Sequence, residues 1–321
     1  MTKPDRPSRR RSDDRLSLVV VLNNFADGCE DLCSRIVETL GRAREPFELV
    51  FVDDGSTDKT FEKLESLAGK DRRVRVVKMR SRFGEATALE AGLQYSTGSR
   101  IVFMSARVRI NPAHIPRLLK SLEKGSDLVV GWRSPRRDPW VNRCISSVFN
   151  RMAGKISKIK IHDMNSGFFA ARREVLERIS FYGDLHTFIP VLAAQQGYHV
   201  DEEKVEQLPG VFRKSRYLGE YFQRLLDILT VFFLARYSKK PIHFLGLVGS
   251  IFVGIGFVIE MYLFIYRILG IGGIAGRPLL ILGALMLVIG IQMISIGLLG
   301  EMIIFTHAGE IEEYNIEKTI N

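Results

Sequence analysis

Strand-like and helix-like segments alternate along the first half of the chain. Apolar runs that predict buried strands occur at 16–22 (LSLVVVL), 47–52 (FELVFV), 74–79, 101–104 and 127–131. Segments whose apolar residues have helical spacing lie between them, at 29–44, 60–67, 85–93 and 115–122. This order predicts an α/β fold: a twisted, mostly parallel sheet with helices on both faces.

Two much longer apolar runs occupy the last third of the chain. The first, 244–266, contains a single charge at Glu260, and the second, 279–299, has Gln292 as its most polar member. At 1.5 Å per residue the first run is about 34 Å long, enough for a hydrocarbon core of about 30 Å. We expect a transmembrane hairpin (about 244–266 and 279–302) rather than a buried helical hairpin of a soluble protein.

Charge is concentrated outside these runs. The chain has 46 Lys+Arg against 36 Asp+Glu, a net charge of +10. Such an excess suits a membrane surface, a nucleic acid or a phosphorylated substrate. No nucleic-acid-binding signature accompanies it, so we expect no nucleic-acid partner. Arg236, Lys239 and Lys240 precede the first span, which predicts that the N-terminal domain is cytoplasmic.

Cysteine and histidine positions argue against a disulfide framework or a zinc site. The three cysteines, Cys29, Cys33 and Cys144, form no CxxC pair, and the six histidines show no ligand spacing. We interpret the cysteines as small buried apolar residues of a protein in a reducing compartment.

Polar residues follow several predicted strands. Asn24 follows the first, and Asp53-Asp54-Gly55-Ser56 follows the second. Ligands of parallel sheets bind at the carboxyl ends of the strands. Two carboxylates there can accept hydrogen bonds from a base imide and a ribose, although an Asp that merely caps the next helix would look the same.

Four segments together resemble a known family: VVVLNN (19–24), FVDDGSTDKT (51–60), RFGEATALEAGL (82–93) and DMNSGFFAARREVLE (163–177). They resemble inverting family 2 glycosyltransferases with a GT-A fold. SRY (215–217), GLLGE (297–301) and the hairpin narrow the resemblance to the polyprenyl-phosphate glycosyltransferases, which move a sugar from a nucleotide-sugar to dolichyl or undecaprenyl phosphate. The resemblance covers about 16–305 and implies a bacterial inner-membrane enzyme.

The resemblance implies roles for individual residues. On the donor side it implies that the nucleotide-sugar is bound by Asn24, Asp53, Asp54, Ser56 and Ser105. On the acceptor side, the positions that bind the lipid phosphate correspond to Arg133, Arg143, Ser147 and Arg216. Asp163 matches the active-site carboxylate. A solvated basic helix would explain Arg143 and Ser147 equally, and a turn cap would explain Asp163.

The chain departs from the family at the metal motif. Where the family has D-x-D-x-Q and usually binds Mg or Mn, this sequence has Ser105, Arg107 and Arg109. A serine and two guanidinium groups do not suit a hard cation, so we predict no metal and no other cofactor. Either Arg107 and Arg109 replace the ion as catalytic residues, or catalysis is lost and the chain binds lipid phosphate or a partner enzyme.

The predicted organisation has five parts. They are a disordered basic tail (1–15), a GT-A domain (16–217), an interfacial amphipathic helix (218–240), the hairpin (241–305) and a cytoplasmic tail (306–321). An ordinary core helix is the alternative for the third part. Glycines in the first span favour close helix packing, within the hairpin and in a homo-oligomer. A processive polysaccharide synthase is a rival, but it needs more spans and a Q-x-x-R-W motif that Trp132 and Trp140 do not supply.

Overall fold

The computed structural model describes residues 12–43, 45–135, 161–164, 166–179, 188–208, 241–273 and 277–307. The chain divides into two compact units, Met1–Val231 and Phe232–Asn321. Three predicted site residues, Arg143, Ser147 and Arg216, lie outside the described residues, as does the predicted interfacial helix.

Seven strands in the described part of the first unit form one sheet. They are β1 (Ser12–Leu22), β2 (Phe47–Asp53), β3 (Val74–Lys78), β4 (Gly98–Ser105), β5 (Leu128–Arg133), β6 (Phe168–Arg172) and β7 (Val200–Val205). Their order is β3-β2-β1-β4-β6-β5-β7. Only β6 runs antiparallel to its neighbours, β4 and β5. The predicted mostly parallel sheet is confirmed.

Helices connect these strands. They are α1 (Cys29–Ala43), α2 (Thr60–Lys70), α3 (Glu85–Tyr95), α4 (Ile115–Glu123), α5 (Arg173–Arg178) and α6 (Ile189–Gln195). Short 3₁₀ turns follow β1 at Ala26–Gly28 and β4 at Ala106–Val108, and a third, Pro112–His114, precedes α4.

Both faces of the sheet are covered, which explains the continuous apolar runs. In β1, Leu18 and Val20 pack into one core cluster, and Val19 and Val21 pack into the other. All four side chains are at most 4% exposed. Burying such a side chain contributes roughly 1.5–3 kcal/mol, so both sets of alternating positions stabilise the sheet.

β1 begins four residues earlier than the predicted strand. Ser12 is paired with Gly98 of β4, and the register shifts between Ser12 and Leu16. Residues 12–15, at the end of the expected disordered tail, are therefore part of the strand. The polar sequence there gave no apolar run from which to predict this extension.

The second unit contains two long antiparallel helices, α7 (Pro241–Ile268) and α8 (Pro278–His307). Both are long and apolar enough to cross a membrane. They approach closely at glycines: a Cβ atom on Gly249 would lie 2.6 Å from the carbonyl oxygen of Gly290, and one on Gly256 would lie 2.8 Å from that of Gly283. The predicted apolar hairpin is confirmed, and its glycines permit backbone contact.

Candidate active site

One edge of the sheet gathers the sequence motifs. The parallel strands β1, β2, β3 and β4 end there, and the antiparallel β6 begins beside the end of β4, with Met104 opposite Phe168. The residues after β1, β2 and β4 and those before β6 therefore meet at this edge, as expected for a parallel sheet that binds a ligand.

Asp53, the last residue of β2, is fully buried and only half satisfied. Its Oδ1 accepts hydrogen bonds from the Ser56 amide, at 3.1 Å, and from the Ser56 hydroxyl. Its Oδ2 is buried and has no hydrogen-bond partner in the described part of the chain. A buried carboxylate oxygen without a donor is costly, which points to a ligand that supplies an N–H or O–H group.

Asp54 holds the loop that follows β3. Its carboxylate accepts hydrogen bonds from the amides of Phe83, at 2.7 Å, and Gly84, at 3.1 Å. Gly55 lets the two loops touch, because a Cβ atom there would lie 2.4 Å from the carbonyl carbon of Ser81. Gly55 also has a φ of +62°, a conformation that favours glycine. Asp54 thus organises the site, and the simple helix-cap role does not describe it.

Asn24 joins the loop after β1 to the loop after β2. Its side-chain oxygen accepts a hydrogen bond from the Thr57 amide at 2.9 Å, and its own amide donates to the Ser56 hydroxyl at 2.9 Å. Asn24 is exposed and adopts a left-handed conformation with φ of +50°, which asparagine tolerates better than most residues. The structure therefore brings four predicted donor-side residues together: Asn24, Asp53, Asp54 and Ser56.

Ser105, at the end of β4, connects two other loops. Its amide donates to the Gly167 carbonyl at 2.8 Å, and its hydroxyl donates to Glu85 Oε1 at 2.9 Å. Gly167 has φ of +63°, and a Cβ atom there would lie 2.7 Å from a methyl group of Val108. The DMNSGF segment therefore packs directly on the residues that replace the metal motif.

Arg107 and Arg109 both lie on the exposed side of this loop. Arg107 forms an ion pair with Glu85 at 3.3 Å, and its side chain is 59% exposed. The Arg109 guanidinium carbon lies 5.8 Å from the centre of the Phe25 ring, and its backbone is left-handed with φ of +56°. Sequence reasoning missed Glu85, although it lies within the quoted RFGEATALEAGL segment.

Arg133 and Asp163 form a buried bidentate ion pair. Arg133 Nε donates to Asp163 Oδ2 at 2.6 Å, and a terminal guanidinium nitrogen donates to Oδ1 at 2.9 Å. Their side chains are 6% and 0% exposed. The family resemblance implies separate roles for these residues, in acceptor binding and catalysis, and the structure joins them in one ion pair between the end of β5 and the segment before β6.

His114 supports the far side of this edge. Its Nε2 accepts a hydrogen bond from the Glu206 amide at 3.0 Å, just after β7. Burial, and then the nearby Arg117 guanidinium, lower the pKa of His114. The neutral imidazole is therefore favoured, as its acceptor role requires.

The three residues that stand in the family's metal motif, Ser105, Arg107 and Arg109, do not suit a divalent ion. The serine and the two guanidinium groups after β4 include no carboxylate, and the serine hydroxyl already donates to Glu85. In the regions that the structure describes, no three His, Cys, Asp or Glu side chains come together as a metal site.

Comparisons with known proteins agree with this geometry. The family model for glycosyl transferase family 2 matches residues 18–180. The dodecaprenyl-phosphate galacturonate synthase of Rhizobium johnstonii is 31% identical over 91% of this chain and 88% of its own. The undecaprenyl-phosphate 4-deoxy-4-formamido-L-arabinose transferase of Proteus mirabilis is 27% identical over 96% of this chain and 94% of its own.

A solved structure shows the same fold. Glucosyl-3-phosphoglycerate synthase from Mycobacterium tuberculosis, in complex with Mn²⁺, uridine diphosphate and phosphoglyceric acid, superposes with a TM-score of 0.54 at 19% identity. The match covers 69% of this chain and 78% of that one. From the family match and the near full-length relatives we conclude that this chain belongs to glycosyl transferase family 2.

Proposed function

We propose that this protein transfers a sugar from a nucleotide-sugar to a polyprenyl phosphate at the cytoplasmic face of a membrane. One observation carries the proposal: the half-satisfied Asp53, the exposed Arg107 and Arg109, and the Arg133–Asp163 pair share one sheet edge in a chain that also has an apolar hairpin. Relatives named as polyprenyl-phosphate transferases, aligned over most of the chain, support it.

On the donor side, the nucleoside would bind beside Asp53 and Asp54. The free Oδ2 of Asp53 can accept a hydrogen bond from a base imide or a ribose hydroxyl. Asn24 and Ser56 hold the surrounding loops in place through their hydrogen bonds to each other and to Thr57. Ser105 would contribute by anchoring the loop that faces the diphosphate.

Arg107 and Arg109 would neutralise the departing nucleoside diphosphate. Arginine carries a permanent charge and a fork of N–H donors that matches phosphate oxygens. As the bond between the anomeric carbon and the donor phosphate breaks, negative charge grows on the leaving oxygen. A fixed donor at such a position is commonly worth a factor of about 10²–10³ in rate.

The acceptor phosphate needs positioning more than activation. It is already anionic near neutral pH, so one of its oxygens can attack the anomeric carbon directly and invert it. Arg133, Arg143, Ser147 and Arg216 would hold this phosphate. Asp163 would orient the Arg133 guanidinium through their bidentate contact.

A catalytically inactive protein is the second candidate. The observation that favours it is the replacement of the acidic metal motif by Ser105, Arg107 and Arg109. Such a protein would keep the architecture and bind lipid phosphate or a partner enzyme without transferring sugar.

Membrane topology and assembly form part of the proposal. A reporter fused at Gly272, in the turn between α7 and α8, should be extracytoplasmic, and one fused at the C-terminus should be cytoplasmic. Both reporters on the same side would contradict the hairpin topology.

A Cβ atom on Gly254 of α7 would meet nothing within 4 Å, which leaves room for a second copy of the hairpin. Cross-linking through this face tests the homo-oligomer.

The reaction class is tested by mass spectrometry of lipid-linked sugars. Cells with the protein should contain one polyprenyl-phosphate sugar that cells without it lack. If cells with and without the protein contain the same lipid-linked sugars, the transferase proposal fails and the second candidate is favoured.

The acceptor site is tested by a binding measurement. Arg143→Ala should weaken binding of a short-chain polyprenyl phosphate at least tenfold, since a charge-assisted contact is worth roughly 1.5–3 kcal/mol. Arg42→Ala, on the exposed face of α1, is the matched control.

A further inference from the structure

Glu85 forms an ion pair with Arg107, one of the two arginines that replace the metal motif. It is the first residue of α3, and its side chain is 16% exposed. One oxygen, Oε1, accepts a hydrogen bond from the Ser105 hydroxyl at 2.9 Å and lies 3.3 Å from a terminal nitrogen of Arg107. Glu85 therefore connects the start of α3 to the loop after β4.

The backbone that carries Glu85 is firmly held. The two preceding amides, of Phe83 and Gly84, donate to the Asp54 carboxylate at 2.7 and 3.1 Å. Ser105 is 1% exposed and is fixed through its amide to Gly167. Because both ends of the Glu85 contact are fixed, the position of its carboxylate is set before any ligand binds.

Arg107 is the more exposed partner in this ion pair. A guanidinium group presents five N–H donors, and Glu85 engages one of its terminal nitrogens. With 59% of the side chain exposed, the rest of the group remains accessible to phosphate oxygens. The contact restricts a long flexible side chain to the sheet edge, which lowers the entropy lost when it meets a ligand.

We propose that Glu85 is a positioning residue that holds Arg107 in the orientation needed to stabilise the departing diphosphate. This inference rests on the proposed function. It has a specific kinetic consequence, because the negative charge of Glu85 also repels the anionic donor. Removing that charge should improve ground-state attraction while it impairs the transition state, so kcat and KM for the donor should fall together.

The test is a double-mutant cycle with Glu85→Gln, Arg107→Gln and the double variant, made in the full-length membrane protein. Glu85→Gln should lower kcat about tenfold, the fold-change expected for the loss of one charge-assisted contact, and should also lower the donor KM. In the Arg107→Gln background the same change should have little effect, because its target is gone. Glu90→Gln, on the same helix but exposed, is the control and should behave as wild type.

Three results would overturn the proposal: multiplicative effects of the two substitutions, a higher kcat in Glu85→Gln, or a raised KM with unchanged kcat. Binding of UDP, GDP, CDP and dTDP is also measured for the wild type, Glu85→Gln, Arg107→Gln and the double variant. This measurement separates the inference about Glu85 from the proposed function. If no sugar is transferred but Glu85→Gln changes nucleotide affinity only when Arg107 is present, the transferase fails and the Glu85–Arg107 coupling stands. If sugar is transferred and the effects are independent, the transferase stands and the coupling fails.

Discussion

Asp163→Asn should strongly destabilise the N-terminal unit. The substitution keeps the shape of the side chain but removes the charge that faces the Arg133 guanidinium, whose side chain is 6% exposed. Removing one partner of a buried ion pair commonly costs about 3–5 kcal/mol. For a unit of this size each kcal/mol lowers the melting temperature by roughly 2–4 °C, so the expected drop is about 6–20 °C.

An exposed ion pair provides a matched control. Arg42 and Glu38 on α1 have the same nitrogen–oxygen distance, 2.6 Å, but their side chains are 79% and 61% exposed. Glu38→Gln should cost less than about 1 kcal/mol, because solvent screens the pair. Thermal unfolding of the purified protein, followed by circular dichroism, measures both variants under identical conditions.

A second variant separates charge from packing. Replacing both members, with Arg133→Met and Asp163→Leu, removes the two buried charges together and should destabilise less than Asp163→Asn alone. If Asp163→Asn and Glu38→Gln shift the melting temperature equally, the buried pair does not hold the end of β5 to the segment before β6, and the reasoning is wrong.

Three further predictions concern other parts of the first unit. Gly55→Ala should lower the free energy of unfolding by at least about 2 kcal/mol, because the left-handed φ of Gly55 and the adjacent loop backbone both oppose a Cβ atom. Gly69→Ala in α2 is the control, and it should leave the free energy of unfolding unchanged or raise it. Burial, and to a lesser extent the nearby Asp58 carboxylate, raises the pKa of the Cys29 thiol to about 11, and burial also raises the pKa of the Cys33 thiol. Because a thiol reacts as the thiolate, neither cysteine should react with iodoacetamide at about pH 8 until the protein is denatured. Folding lowers the pKa of His114 below its ordinary value of 6.5, so His114 binds more protons in the unfolded chain than in the folded protein. The free energy of unfolding should therefore decrease as the pH drops through 6.5. In His114→Gln the melting temperature should depend less on pH in this range.

The sequence predicted those elements whose signal is local. The strands β1 and β2 are buried on both faces, so their continuous apolar runs identified them directly. The two helices of the hairpin were similarly clear, because length and apolarity can be read directly from the sequence. The motifs also identified the family, which the comparisons confirm.

Contacts between distant segments were not predictable in the same way. β6 is only five residues long and follows a segment with no strand signal, so its antiparallel insertion between β4 and β5 had no local signature. Arg133 and Asp163 are thirty residues apart, and no spacing rule links them. Glu85 looked like an ordinary acidic residue in a first helical turn, and only the fold places it against Ser105 and Arg107.

Neutralisation of the departing diphosphate by Arg107 and Arg109 is the central step of the proposed reaction. The decisive measurement follows transfer from a panel of nucleotide-sugars to polyprenyl phosphate by the purified full-length protein, with and without excess chelator. We predict that the rate in chelator equals the rate without it, and that Arg107→Ala lowers this rate about 10²–10³-fold. Turnover that stops in chelator and returns with added manganese would contradict the role given to the arginines.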